Sequence, residues 1–308
     1  MRIIFFGTPD FAVPSLRALL SGPDEVVGVV CQPDRPAGRG QHLTPPPIKQ
    51  TAIAAGIPVL QPEKIRTAEF LEQLRAWAPD LAVVAAYGRI LPNSILELPR
   101  HGCINVHASL LPKYRGAAPM QWAIVNGDDR TGVTIMQVAE KMDAGDMLLQ
   151  RETPIGPNDT LGTVHDRLAE IGAIALIDAI EQIRAGTVRP VPQDETRVTY
   201  APMIKKEDGR IDWSRPAAEI ERRVRAFDPW PSAHTHLHGK LLKISRAKVG
   251  RGGRPEAPGT VIGIGETIRV ACGSDELEIN ELQLEGRKRL TAGEFTRGGH
   301  VAVGTVLV

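Results

Sequence analysis

Cysteine is scarce and unpaired along this chain. Its three residues, Cys31, Cys103 and Cys272, lie far apart, which excludes a disulfide framework and a C-x-x-C metal site and suits a reducing compartment. Aromatic residues make up only 4% of the 308 positions, so the cores must be built from Leu, Ile, Val and Ala. No stretch approaches the roughly 18 consecutive apolar residues of a membrane span. The opening run RIIFF is too short for a signal peptide and reads as a first strand; a soluble cytoplasmic protein is expected. There is no G-x-G-x-x-G and no P-loop, although Gly7 follows a strand-like run, so dinucleotide and ATP chemistry are unsupported. No internal repeat is visible. A formal net charge of +1 excludes a uniformly basic nucleic-acid binder but leaves room for a local patch.

The charge is uneven. Residues 1–204 hold 19 Lys/Arg against 22 Asp/Glu, and residues 205–308 hold 18 against 14. The second segment therefore leans towards an anionic partner, although four charges over a hundred residues is also within ordinary scatter. The length is comfortable for two domains. In the first, strand-like runs (RIIFF, EVVGVVC, IPVLQP, LAVVAAYG, GCINVHA, GVTIMQV) alternate with helix-like ones (FAVPSLRALLSG, TAEFLEQLRAW, APMQWAIVNG). That rhythm predicts an α/β, Rossmann-like, mainly parallel sheet. A long helix over 160–186 closes it, and the Pro-rich polar stretch that follows reads as a linker. After about residue 206 one short helix precedes short strands separated by Gly-rich turns (THLHGKLLKIS, GTVIGI, TIRVAC, LEINELQL, VAVGTVLV), the pattern of an OB-like β-barrel. The expected organisation is 1–189, a linker at 190–205, and 206–308.

The stretch CINVHASLLPKYRGAAP carries the first chemical signal. On a strand, Asn105 and His107 share one face while Ile104 and Val106 share the other. In a doubly wound sheet, ligands bind beyond the carboxyl ends of strands, where this pair would stand. An amide and an imidazolium both donate hydrogen bonds, as an oxyanion site requires, and His also shuttles protons. The alternative is that both merely satisfy nearby backbone. The turn-like AEKMDAGDMLLQ follows an apolar strand; Asp143 or Asp146 could reach a neighbouring strand end and favour a charged imidazole, or the stretch is an ordinary hairpin loop. The loop QPDRPAGRGQHLTPPPIK is long for a compact domain. Its Arg35, Arg39 and Lys49 suit phosphate contacts, unless the loop is simply solvated. His234, His236 and His238, read as one strand face, could bind a transition metal, though no carboxylate or cysteine is nearby in sequence.

NVHASLLPKYRGAAP resembles the N-x-H-x-S-L-L-P core of the 10-formyltetrahydrofolate-dependent formyltransferases, and KMDAGD resembles their D-x-G loop. IIFFGTPDFAVPSL, PAGRG, RAFDPWPSA, GKLLKI and LEGRKRLTAGEF resemble stretches of the branch that formylates methionylated initiator tRNA, so the likeness runs along the whole chain. One departure is SAHTHLH, where that branch commonly has an aromatic or small residue at His234. The resemblance implies that Asn105, His107 and Asp143 are catalytic. It implies that Tyr87, Gly88, Arg89, Ile90 and Leu91, mainly by backbone, and Ser109, Leu110, Leu111 and Pro112 line the site of the formyl donor, 10-formyltetrahydrofolate. It further implies that Arg35, Arg39 and Lys49, with the barrel, hold the acceptor stem of the tRNA, and that no metal is required. Rival readings are a sugar-nucleotide amine as acceptor, hydrolysis of the folate derivative, and a catalytically silent RNA-binding protein.

Overall fold

The structure, a computed structural model, describes residues 1–37, 42–252 and 256–308. Its contacts divide the chain into two compact units. One comprises 1–119, 130–154 and 165–201, and the other 120–129, 155–164 and 202–308.

The first unit is built on seven strands: β1 (Arg2–Gly7), β2 (Glu25–Val30), β3 (Val59–Leu60), β4 (Leu81–Ala85), β5 (Cys103–His107), β6 (Arg130–Gln137) and β7 (Met147–Pro154). They lie in the order β7-β6-β5-β4-β1-β2-β3. The ladders from β3 to β5 are parallel. Strands β6 and β7 are antiparallel to their neighbours, so the expected parallel run stops at β5. β1 and β2 are buried at every position after the first, as befits strands covered on both faces. The strand β7 was not foreseen. Its Gln150, Arg151 and Glu152 are exposed, because β7 is the sheet edge, and an edge strand lacks the apolar signal that marks a central one.

Helices α1 (Val13–Leu20), α2 (Pro47–Ala54) and α3 (Ala68–Ala76) connect the parallel strands. Proline opens α1 and α2 in their first turns, where its missing N–H costs nothing. Thr67 caps α3 by accepting a hydrogen bond from the Phe70 N–H, a contact of about 1 kcal/mol. One core cluster gathers Ile4, Phe6, Val30, Phe70, Leu74 and Tyr87; full burial of each large apolar side chain contributes about 1.5–3 kcal/mol before chain entropy is counted.

The second unit centres on an antiparallel sheet of β8 (Ala233–Leu237), β9 (Lys240–Gly250), β10 (Val261–Ile264), β11 (Ile268–Ala271) and β12 (Glu276–Leu284), in the order β8-β9-β12-β11-β10. The helix Ala217–Phe227 buries Ala217, Ile220 and Val224 in the same core as Leu242, Ile244 and Leu282. Two expectations need correction. THLHGKLLKIS is a hairpin rather than one strand: His238 and Gly239 both take positive φ, at 50° and 77°, the geometry of a two-residue turn that matches strand twist. VAVGTVLV is not a strand, for Gly304 turns the chain at φ 90°. Residues 304–307 instead exchange isolated backbone hydrogen bonds with 259–261, and Val308 does so with His236. No ladder closes this sheet among the described residues.

The second unit also takes in Pro119–Asn126 beyond its first residue. Arg222 donates to the Val125 carbonyl at 2.9 Å and the Trp122 indole to the Pro202 carbonyl at 2.8 Å. A cut at residue 205 would strip the Arg222 contact and keep the Trp122 one.

Candidate functional site

β5 carries the site. It is buried on both faces, and Asn105 is the only residue of Cys103–His107 that is not fully buried. No side-chain hydrogen bond engages Asn105 among the described residues, which leaves its amide available. His107 is 6% exposed, and its Nε2 lies 2.9 Å from the Tyr114 carbonyl oxygen. A carbonyl only accepts, so Nε2 carries a proton. The other ring nitrogen, Nδ1, faces Oδ2 of Asp143 at 3.8 Å. That separation is too long for a hydrogen bond but well within the range of an ion pair. A lone pair on Nδ1 would be repelled by the carboxylate; a proton there converts the contact into attraction. The Nδ1 edge of the ring is therefore the one turned towards the carboxylate, with Nε2 engaged by Tyr114.

Asp143 sits on the loop between β6 and β7, in the left-handed region at φ 50°. Its Oδ2 accepts the Gly116 N–H at 2.8 Å. Gly116 belongs to a short parallel pairing of Arg115–Gly116 with Tyr200–Ala201. A Cβ at Gly116 would lie 2.7 Å from the Ala201 carbonyl oxygen, so only glycine lets the two backbones approach.

The SLLP segment is fastened from the neighbouring strands. The Thr134 hydroxyl donates to the Ser109 carbonyl at 2.7 Å and accepts the Leu111 N–H at 3.1 Å. The Gln150 amide donates to the Leu111 carbonyl and to the Thr134 hydroxyl, each at 2.9 Å. The Ser109 hydroxyl is itself spent on the Lys113 carbonyl. Ser109 and Leu111 are buried, while Leu110 and Pro112 are half-buried. From the far side, the Thr199 hydroxyl accepts the Tyr114 N–H at 2.9 Å. Thr134, Gln150 and Thr199 carried no sequence signal, because isolated polar residues in a strand or a linker look alike whether or not they hold a loop.

The 87–91 loop follows β4. Tyr87 and Leu91 turn their side chains into the core, so what they offer a ligand is main chain. The Tyr87 ring meets Phe6 edge-on at 5.4 Å, and burial pushes its phenol up to about 12. Its carbonyl accepts from Thr8 and Gln32. Gly88 adopts φ 81°. No side-chain or backbone partner meets the main-chain groups of Gly88, Arg89 and Ile90 among the described residues. The Arg89 guanidinium is held by Gln32 and by the carbonyls of Pro62 and Glu63, and Ile90 is exposed.

The cationic loop is brought together only in part. Arg35 is exposed. Lys49 makes two hydrogen bonds to Asp34, at 2.8 and 2.9 Å, and holds that carboxyl below its usual range, so it is committed within the chain. Arg39 lies outside the described residues. The three histidines do not form one face, since His238 is in the turn. Nδ1 of His234 and of His236 faces a backbone carbonyl instead. Among the described residues no group of three or more His, Cys, Asp or Glu side chains could hold a metal ion, and no helix is long and apolar enough to cross a membrane.

An amide and a buried imidazole near the carboxyl end of a sheet strand, with a loop carboxylate facing the imidazole, are the kinds of group that a group-transfer enzyme requires. A family model for formyl transferase matches residues 1–180, and one for the formyl transferase C-terminal domain matches residues 203–300. The chain belongs to the formyl transferase family. It is 54% identical over 308 residues, all of this chain and 95% of the relative, to a methionyl-tRNA formyltransferase of Desulfotalea psychrophila. It is 50% identical, over all of this chain and 96% of the relative, to that of Geobacter sulfurreducens. Among solved structures, a methionyl-tRNA formyltransferase from Clostridium thermocellum superposes with a TM-score of 0.56 at 18% identity, covering 82% of this chain and 95% of that one. HypX from Aquifex aeolicus, solved with tetrahydrofolic acid, superposes with a TM-score of 0.64 at 20% identity, covering 97% of this chain and 47% of that one. At these identities the two structures speak for the fold.

Proposed function

We propose that this enzyme transfers the formyl group of 10-formyltetrahydrofolate to the amino group of methionylated initiator tRNA. The observation that carries the acceptor is the full-length identity of about half to relatives of that name. What carries the chemistry is the Asn105, His107 and Asp143 arrangement. The amine nitrogen attacks the formyl carbon, and the carbonyl electrons move to oxygen. The Asn105 amide and Nδ1–H of His107 donate to that oxygen, where charge develops. On collapse the bond from carbon to the folate nitrogen breaks. The amine loses one proton and the folate nitrogen gains one, through His107, Asp143 and water. Asp143 keeps the imidazole charged and aimed. No metal takes part in this reading, because the formyl group is already activated on the folate.

The folate would lie against SLLP and the 88–91 loop. Unpaired main-chain donors and acceptors at Gly88, Arg89 and Ile90 suit the heteroatom-rich edge of a pterin ring, and Leu110 and Pro112 supply apolar surface. We read 1–189 as the catalytic domain and 190–205 as a linker whose start is bound to it. We read 206–308 as an OB-like domain that binds the acceptor stem with the loop of Arg35 and Arg39; Lys49 is set aside, being paired with Asp34. A soluble cytoplasmic location follows from that substrate.

The test is formyl transfer from 10-formyltetrahydrofolate to methionylated initiator tRNA, with a methionylated elongator tRNA and a sugar-nucleotide amine alongside. Selective transfer to the initiator is expected. Transfer to the sugar nucleotide alone, or formate release without an acceptor, would refute the reading.

A further inference from the structure

Gln193 lies in the stretch read from sequence as linker, yet its side chain makes three hydrogen bonds beside Asp143. Its Nε2 donates to the carbonyls of both Asp143 and Gly145, each at 2.8 Å. Its Oε1 accepts from Nε of Arg115 at 2.9 Å. Arg115 is 1% exposed, and its two terminal nitrogens each donate to Glu195, at 2.7 and 3.4 Å; this contact holds the Glu195 carboxyl below its usual range. With a guanidinium on one side and two carbonyls on the other, the amide has only one orientation that satisfies every partner. Asp143 needs such a hold. A non-glycine residue in the left-handed region is uncommon and stays there when its surroundings fix it. Its carboxylate is tied to Gly116, and its carbonyl is tied to Gln193.

We propose that Gln193, aimed by Arg115, is a positioning residue that fixes the Asp143 loop and thereby sets the separation between the Asp143 carboxylate and Nδ1 of His107. The proposal rests on the catalytic reading of Asp143. Gln193 touches no reacting atom in that reading. It acts by keeping the carboxylate where it favours the imidazolium before substrate arrives, and such preorganisation lowers the barrier without changing ground-state binding.

The experiment measures turnover, the KM for each substrate and thermal stability of the full chain. It uses Gln193→Met, Gln193→Glu, Asp143→Ala and the Gln193→Met/Asp143→Ala double variant. Gln193→Glu keeps the acceptor for Arg115, so it guards against loss of the fold, yet it loses both donations to the loop. The expected result is about a tenfold or greater fall in kcat for each Gln193 variant, with both KM values within about twofold of wild type. The double variant should turn over no more slowly than Asp143→Ala, because residues acting through one group are non-additive. If both Gln193 variants keep wild-type kcat while Asp143→Ala is impaired, the positioning role is wrong and the Asp143 reading survives. An equal further loss on the Asp143→Ala background would also overturn it. Normal turnover in Asp143→Ala would overturn both.

Discussion

The strands β4 and β5 pair in parallel, yet the loops at their carboxyl ends are built in opposite ways. After β5, the carbonyls of Ser109, Leu111, Lys113 and Tyr114 and the N–H groups of Leu111, Tyr114 and Arg115 all have partners. After β4, the carbonyl of Tyr87 is taken, and the main chain of Gly88, Arg89 and Ile90 is left without partners among the described residues. The difference matches the roles proposed for the two loops. A group that stabilises charge in a transition state is worth most when it cannot move. A surface that pairs with the heteroatoms of a ligand must keep its own donors and acceptors unspent. The first loop is therefore fastened, and the second is open.

The largest expected effect falls on the fastened side. Asn105→Ala and His107→Ala should each lower kcat by about 10²–10³, the range found when an oxyanion donor is removed, with the folate KM little changed. Near-normal turnover in either variant would mean that the two loops do not differ in this way. On the open side the pattern should reverse. Gly88→Val forces a β-branched residue into φ 81°, a strain of about 1–2 kcal/mol. Relieving it moves the loop, so the folate KM should rise about tenfold while kcat at saturation stays within about threefold. A fall in kcat with unchanged KM would assign Gly88 to the reacting centre instead.

Much of this contrast was legible in the residues, but unevenly. The alternation that sets Asn105 and His107 on one face is a local property of any strand, and the βα rhythm pointed to a mainly parallel sheet without giving its strand order. What could not be read depends on contacts far apart in the chain. Gln193 and Thr199 look like ordinary linker residues until the fold brings them against Asp143 and Tyr114. The edge strand β7 hides because its exposed residues carry no apolar period. In the second unit, LHGK looks like continuous strand because histidine is not a usual turn former, although Gly239 supplies part of the turn. Lys49 matched a phosphate contact by charge alone, and Asp34, fifteen residues earlier, already claims it.

That last pairing yields a smaller prediction on the acceptor side. Arg35→Ala should weaken tRNA binding and lower the slope of log affinity against log salt by about 1. Lys49→Ala should leave that slope unchanged, since its charge is already balanced by Asp34. Equal slopes for the two variants would show that the ion pair opens on binding.

The smallest effect separates the core from the site within one residue. The Tyr87 hydroxyl is buried and has no hydrogen-bond partner among the described residues, which costs about 1–3 kcal/mol. Tyr87→Phe should therefore raise stability at neutral pH by about 1 kcal/mol, or a few degrees in Tm, and leave the folate KM unchanged. The same substitution should act in alkali. Burial raises the Tyr87 phenol to about 12, against about 10 in an unfolded chain. Below pH 10 the phenol is protonated in both states and contributes no slope. Between pH 10 and 12 the unfolded chain releases its proton first, so stability falls as pH rises. Cys103, raised by burial to about 12, adds a similar loss that begins nearer pH 9 and persists in the variant. Melting curves at pH 7 and pH 11 should thus show a shallower alkaline decline in Tyr87→Phe than in wild type. A rise in folate KM would place the ring against the ligand, and the open loop would then begin one residue earlier than its backbone indicates.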